Sequence, residues 1–274
     1  MLLVIDVGNT NTVLGVFAGK RLRAHWRLTT NPEQTADEYG ILIRNLFSLE
    51  GIDPGRISGI MIASVVPPLN ALLEEMAGKY FGLEALFLGH GTRTGLAIRY
   101  ENPQEVGADR IADSVAAFEK YGGPCVIVDF GTAITFDAVS GKGEYLGGVI
   151  CPGLGIAAEA LFARAARLPR VEIREPERLI GTNTVASMQS GLFYGAVGLV
   201  DGILERLYAA LGPETRVVAT GGQASLVASA SRYKPPVDSA LTLEGLRIIY
   251  ERNLPGAGRS AAKGGKCRKP AATK

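Results

Sequence analysis

The chain has 274 residues, 47% apolar and 20% charged, a globular composition that excludes an extended disordered polypeptide. Its formal charge of +2 is unevenly spread, because Arg259, Lys263, Lys266, Arg268, Lys269 and Lys274 all lie after Pro255 with no acid among them. The rest carries 23 basic against 27 acidic side chains, a net −4 that argues against a body built to bind nucleic acid.

Taken in chain order, the opening reads as a three-stranded meander. Leu2 to Ile5 is apolar, Asp6 to Asn11 is turn chemistry, Val13 to Phe17 is apolar again, and Gly19-Lys20 turns the chain into Leu22 to Leu28. Tyr39, Leu42, Ile43, Leu46 and Phe47 then recur at helical spacing over 34–49. A buried strand (57–64), a helix after Pro67-Pro68 (69–80) and a short strand (85–88) follow. The next block repeats the pattern: a helix over 106–121, an apolar run from Cys125 to Val128 ending in Asp129, and strands over 135–139 and 145–150. Helices are predicted over about 154–166 and 185–211, then a strand over 216–219, a Gly221-Gly222 turn and two closing helices. The tail from Gly256 has no periodicity and is expected to be disordered.

The N-terminus meets an acid at Asp6 and has no basic leader, so it does not read as a signal peptide. The longest uncharged run, Leu179 to Val200, contains Asn183, Gln189 and four glycines and is too polar to span a bilayer. Cys125, Cys151 and Cys267 form no paired framework. A reducing, cytoplasmic setting is expected.

An apolar run followed by Asp, one residue, Gly and Asn or Thr occurs at Asp6 and again at Asp129. Such turns suit phosphate, since backbone N–H groups and hydroxyls can hold its oxygens, while the carboxylate implies an intervening Mg²⁺ or its waters. The alternative is hairpin chemistry in which Asp6 and Asn9 bond their own backbone. Two copies in one chain favour phosphate and suggest two similar α/β lobes facing one cleft. Thr220-Gly221-Gly222 would let a flat ring lie against the backbone. Asp109, opening a helix in Gly107-Ala108-Asp109-Arg110, is either a first-turn acid favoured by the helix dipole or a general base, with Arg110 beside it for an anionic substrate. No Walker A or dinucleotide glycine pattern occurs, and His25 and His90 are isolated from any zinc-type cluster.

These residues resemble the acetate and sugar kinase/Hsp70/actin superfamily. More narrowly, Asp6 to Thr12, Ser64-Val65-Val66-Pro67, Gly107 to Arg110, Asp129 to Ala133, Gly147 to Gly153 and Gly181 to Thr184 follow the order seen in type III pantothenate kinases, over about residues 1–253. The departures are Ile134, where a threonine is common, and the basic tail. The resemblance implies two similar ribonuclease H-like lobes, an actin-like ATPase fold of the α/β class, around a central cleft. The lobes are expected at 1–104 and 105–255, with 256–274 as the tail. It further implies ATP-dependent phosphorylation of pantothenate, the first step of coenzyme A synthesis. Asp6, Val7, Gly8, Asn9, Thr10, Asn11, Thr12 and Val13 would hold ATP phosphates, with Asp6 on Mg²⁺ and Thr132 touching ATP. Asp109 would accept the hydroxyl proton, and Asp129 would bind a monovalent cation, K⁺ or NH₄⁺. Tyr100, Gly107, Ala108, Asp109, Arg110 and Thr184 would form the pantothenate site, with Thr184 reaching it from the second chain of a homodimer. Two rivals stand beside this reading: a phosphatase of the same superfamily, and a nonenzymatic transcription accessory factor that uses the basic tail.

Overall fold

The computed structural model describes residues 1–254, so the tail predicted to be disordered lies outside the described residues. The first sheet is built from β1 (Leu2–Val7), β2 (Asn11–Ala18), β3 (Arg21–Thr29), β4 (Gly59–Ser64) and β5 (Ala85–Phe87), in the order β3-β2-β1-β4-β5. Between its strands run α1 (Ala36–Leu49) and α2 (Asn70–Phe81). The connection onward includes β6 (Ala97–Ile98) and leads into α3 (Ala108–Tyr121). The second sheet adds β7 (Cys125–Phe130), β8 (Ala133–Val139), β9 (Glu144–Pro152) and β10 (Arg216–Thr220), in the order β10-β7-β8-β9-β6. The remaining helices are α4 (Leu154–Arg164), α5 (Thr184–Leu211), α6 (Ala224–Ala228) and α7 (Leu241–Asn253).

The two sheets repeat one plan. β1 pairs antiparallel with β2 and parallel with β4, and β7 pairs antiparallel with β8 and parallel with β10. β1 and β7 are central strands covered on both faces, which is why each reads as a continuous apolar run rather than an alternating one. Polar chemistry enters only at their C-terminal ends, with Asp6 and Asp129 each one residue before the strand finishes.

Helix ends follow local chemistry. Thr35 caps α1 by accepting from the Glu38 N–H, and the Glu38 carboxylate accepts from the Thr35 N–H at 2.7 Å, a reciprocal box that starts the helix one residue after the cap. The core has three parts. One lies under α1 and α2 (Leu3, Ile5, Ile43, Leu73), and one lies on the far face of the second sheet (Val126, Val128, Val200, Leu204). The third sits between the sheets, where α3 and α7 join Val4 and Met61 to Ile127 and Val218. Gly245 lets α7 meet α3 closely, since a Cβ there would stand 2.0 Å from the Ala112 carbonyl oxygen. So α3 is clamped between both sheets, and its first turn opens where β1 and β7 end. Among the described residues no helix is long and apolar enough to cross a membrane.

Candidate active site

The Asp6 and Asp129 turns face each other. Gly8 N–H donates to the Asn11 carbonyl and Gly131 N–H to the Ala133 carbonyl, each at 3.0 Å, closing matching turns. The turns touch through the hydroxyls of Thr10 and Thr132, 2.9 Å apart although 122 residues separate them. Between them lies a cleft of about 280 Å³ that also receives Arg27 from β3, Asp109 from α3, Thr220 to Gly222 at the end of β10, and Thr242 from α7.

Of the residues predicted to hold ATP or cations, Asp6, Gly8, Asn9, Thr10, Asn11, Val13, Asp129 and Thr132 line this cleft, together with Asp109. Val7 and Thr12 point into the core instead. Thr12 shapes the turn from behind: its hydroxyl lies 2.9 Å from that of Thr30, which in turn donates to the Gly8 carbonyl at 2.7 Å. Because Thr30 uses its one proton on Gly8, Thr12 is the donor between the two.

The residues expected at the pantothenate site are dispersed around the cleft. Gly107 and Ala108 line a neighbouring cavity of about 610 Å³ with Val65, Leu96 and Ile111. Tyr100 packs over Gly147, its ring centroid 6.3 Å from that of Tyr145. Arg110 is held by Asp137: Nε donates to Oδ1 at 2.8 Å, and Nη2 lies 2.7 Å from the same oxygen but has no hydrogen-bond acceptor. Thr184 begins α5 and borders a separate cavity with Leu161, Gly181 and Met188.

Glycines set the site's dimensions. Gly221 has a φ of +94°, and a Cβ there would stand 2.3 Å from Asp129 Oδ1 and 2.6 Å from the Phe130 nitrogen. A Cβ on Gly153 would meet the Thr132 carbonyl oxygen at 2.3 Å. The second turn is thus packed by bare backbone on two sides, and any side chain there would displace it.

Among the described residues that line the cleft, Asp6, Asp109 and Asp129 are the acids and Arg27 the cation. Burial, then Asp109 and Asp129, push the Asp6 carboxyl well above the usual range. Asp129 is pushed up to about 7 by burial, Asp109 and Asp137, with Arg27 opposing. Burial also raises Asp109, against the Arg110 N–H that donates to its Oδ1 at 2.8 Å. Carboxylates and hydroxyls are hard oxygen donors, the set that suits Mg²⁺ or K⁺ and not zinc. Among the described residues no three His, Cys, Asp or Glu side chains converge as a closed metal cage. The carboxylates and hydroxyls that line the cleft fit a cation that keeps waters and shares ligand phosphates, as Mg²⁺ commonly does.

A family model for type III pantothenate kinase matches residues 2–206. The chain belongs to the type III pantothenate kinase family. Curated members similar to this kinase include one from Koribacter versatilis, 59% identical over 263 residues with 92% of this chain and 96% of that protein covered. Another, from Myxococcus xanthus, is 60% identical over 253 residues, covering 92% and 99%. Solved structures extend the likeness in fold alone. One, titled a conserved putative Baf family transcriptional activator from Campylobacter jejuni, matches with a TM-score of 0.58 at 20% identity, covering 92% of this chain and 98% of that one. A putative 2-dehydro-3-deoxygalactonokinase from Sinorhizobium meliloti matches at 0.55 with 12% identity, covering 93% and 97%. This kinase therefore has the two-lobe, ribonuclease H-like architecture that its sequence resemblance implied.

Some of the kinase's cleft carried no local signal. Arg27 looks like any outward residue of an edge strand, and its role emerges only when β3 lies beside the Asp6 turn. Asp137 sits two residues after Thr135 in an alternating strand, which marks a face but not a partner.

Proposed function

We propose that this cleft transfers the γ-phosphoryl group of ATP to the primary hydroxyl of pantothenate, giving 4'-phosphopantothenate for coenzyme A synthesis. The observation that carries the reading is the meeting of the two phosphate turns at Thr10 and Thr132, with the buried Asp109 in the same cleft. Phosphoryl transfer demands positioning and charge neutralisation more than covalent chemistry, and backbone donors, hydroxyls and Arg27 supply both. Asp109 Oδ1 is anchored by the Arg110 N–H, so Oδ2 is the oxygen assigned to accept the proton as the hydroxyl attacks. A Mg²⁺ ion near Asp6, when bound, neutralises phosphate charge, and Asp129 would hold the activating K⁺ or NH₄⁺. The Arg110 guanidinium, aimed by Asp137, is the cation offered to pantothenate's carboxylate, with Tyr100 and the Gly107–Ala108 backbone completing the site in this reading. Cytoplasmic location is part of this reading.

Coupled ADP release should show turnover that requires pantothenate and is much faster in K⁺ than in Na⁺. Turnover indifferent to pantothenate would favour the phosphatase, and none at all would reopen the accessory-factor reading.

The reading includes a homodimer. Leu161 on α4 borders the same cavity as Thr184, and Ile150 (62% exposed) on β9, Phe162 on α4, and Ile180 (81% exposed) and Val185 near the start of α5 leave further apolar side chains uncovered. Pairing two such faces would let Thr184 complete the pantothenate site of the other protomer. Sedimentation should give twice the 28.9 kDa chain mass. Ile180→Asp should yield a monomer whose KM for pantothenate is at least about tenfold higher, a loss of one hot-spot contact. A wild-type monomer with full activity would sink the dimer reading.

A further inference from the structure

At the far end of the inter-sheet helices, away from the active-site cleft, lies a groove of about 710 Å³ with no part in the proposed reaction. Its walls bring together Lys20 from the β2–β3 turn, Arg93 from the connection before β6, Glu119 from the last turn of α3, and Arg247 and Glu251 from α7. The two sites are well apart. The β1–β2 hairpin meets the cleft near Val7 and Thr12, whereas Lys20 follows its opposite end, where Leu2 pairs with Phe17. Ten residues of α3 separate Asp109 from Glu119, about 15 Å at the usual helical rise.

Five basic and three acidic side chains line the groove. Each acid is already matched: Glu119 with Arg252, Glu244 with Lys120 at 3.3 Å, and Glu251 with Arg247 at 2.8 Å. Lys120 also meets Asp238 at 2.7 Å. Lys20 and Arg93 make no ion pair with any described residue, and residues 255–274 contain no Asp or Glu that could supply one. Arg93 is nonetheless fixed in place. Asn253, which ends α7, accepts its backbone N–H and donates to its carbonyl, each at 3.0 Å. Arg247 is the most buried of the five cations, 8% exposed, with its guanidinium carbon over the Phe17 ring at 5.7 Å from the centroid. Glu251, itself 44% exposed, meets only Nη1, and the buried Nε has no acceptor. A guanidinium so far out of water calls for more acceptor oxygens than one half-exposed carboxylate supplies.

We propose that this groove is a second binding site, for a small anion bearing a diphosphate group, whose oxygens are shared by Lys20, Arg93 and Arg247. The charges left over after the internal pairs are all positive, and they come from three separate elements. A diphosphate spreads several negative charges over oxygens that separate cations can reach together, and the planar fork of arginine suits it.

The test does not depend on the pantothenate reading. Full-length protein is freed of divalent metal and titrated calorimetrically with inorganic pyrophosphate at about physiological ionic strength. Without Mg²⁺ the cleft presents Asp6, Asp109 and Asp129 to phosphate, so binding under these conditions reports the groove. About one equivalent should bind per chain and raise the melting temperature, as any ligand selective for the folded state does. Lys20→Ala/Arg93→Ala should weaken binding at least about tenfold, the scale expected for losing charge-assisted contacts. Lys20→Glu/Arg93→Glu should abolish it. Both side chains are exposed, so these variants should fold normally and keep wild-type turnover within about twofold. Orthophosphate reaches fewer of the three cations and should bind at least about tenfold more weakly than pyrophosphate. Metal-free protein that takes up no pyrophosphate would overturn the proposal. So would pyrophosphate binding that the alanine and glutamate variants leave unchanged, and so would orthophosphate binding as tight as that of pyrophosphate.

Discussion

Asp109→Asn should lose at least ~10²-fold in kcat while keeping ATP affinity within a few-fold, the range seen when a general base is removed. The separation follows from where the side chain sits. Asp109 belongs to the first turn of α3, and the phosphate turns belong to β1–β2 and β7–β8, so the amide leaves the Thr10–Thr132 contact and the backbone donors intact. Asparagine also keeps an oxygen to accept from the Arg110 N–H, so the helix start is preserved. What it loses is the ability to take a proton. A primary hydroxyl is a weak nucleophile near neutrality, and its proton must leave as the P–O bond forms. Burial makes Asp109 a stronger base than a solvated carboxylate, which is why its removal should cost so much. Single-turnover kinetics with nucleotide binding measured separately will decide. Equal losses in binding and turnover would mean Asp109 organises the nucleotide instead.

The parts of this protein that were legible in sequence are those governed by neighbours along the chain. β1 and β7 could be found because central strands are apolar throughout and the polar residue marks their end. Their repetition implied facing lobes, and the structure brings the two turns within a hydroxyl–hydroxyl contact. What stayed hidden depends on distant pairing. β6 has two residues, too few to carry an alternation, and exists because Ala97 and Ile98 find Glu144 and Tyr145 on β9. Arg110 beside Asp109 looked free to meet a substrate anion, yet Nε and Nη2 of its guanidinium are both held by Asp137, 27 residues away. Val7 and Thr12 matched the phosphate motif by position, but strand alternation turns them inward, so two residues of that motif act as scaffold.

The Arg110–Asp137 pair sets up the largest stability effect expected for a single substitution. Asp137 is 1% exposed and collects Nε of Arg110 at 2.8 Å, the Tyr145 hydroxyl at 2.7 Å and the Thr135 hydroxyl at 3.2 Å. Burial still outweighs these donors, leaving the carboxyl above its ordinary range, so the ion pair is not in itself a stabilising device. Its removal by halves is a different matter. Asp137→Ala strands a guanidinium that is 11% exposed and orphans the Tyr145 hydroxyl, which should cost about 3–5 kcal/mol. For a chain of this size that corresponds to a fall in melting temperature of roughly 10 °C. Replacing both partners with apolar residues, Arg110→Met with Asp137→Leu, should regain part of the loss, because no buried charge is then left uncompensated. The double variant should nonetheless remain poor in pantothenate turnover, since the Arg110 guanidinium is gone. Calorimetry and kinetics on the two variants separate the roles. Recovered stability without recovered activity would show that the pair is retained to aim Arg110 and not to hold the fold. A single variant that melts within 2 °C or so of wild type, less than about 1 kcal/mol, would mean the guanidinium reaches solvent on its own.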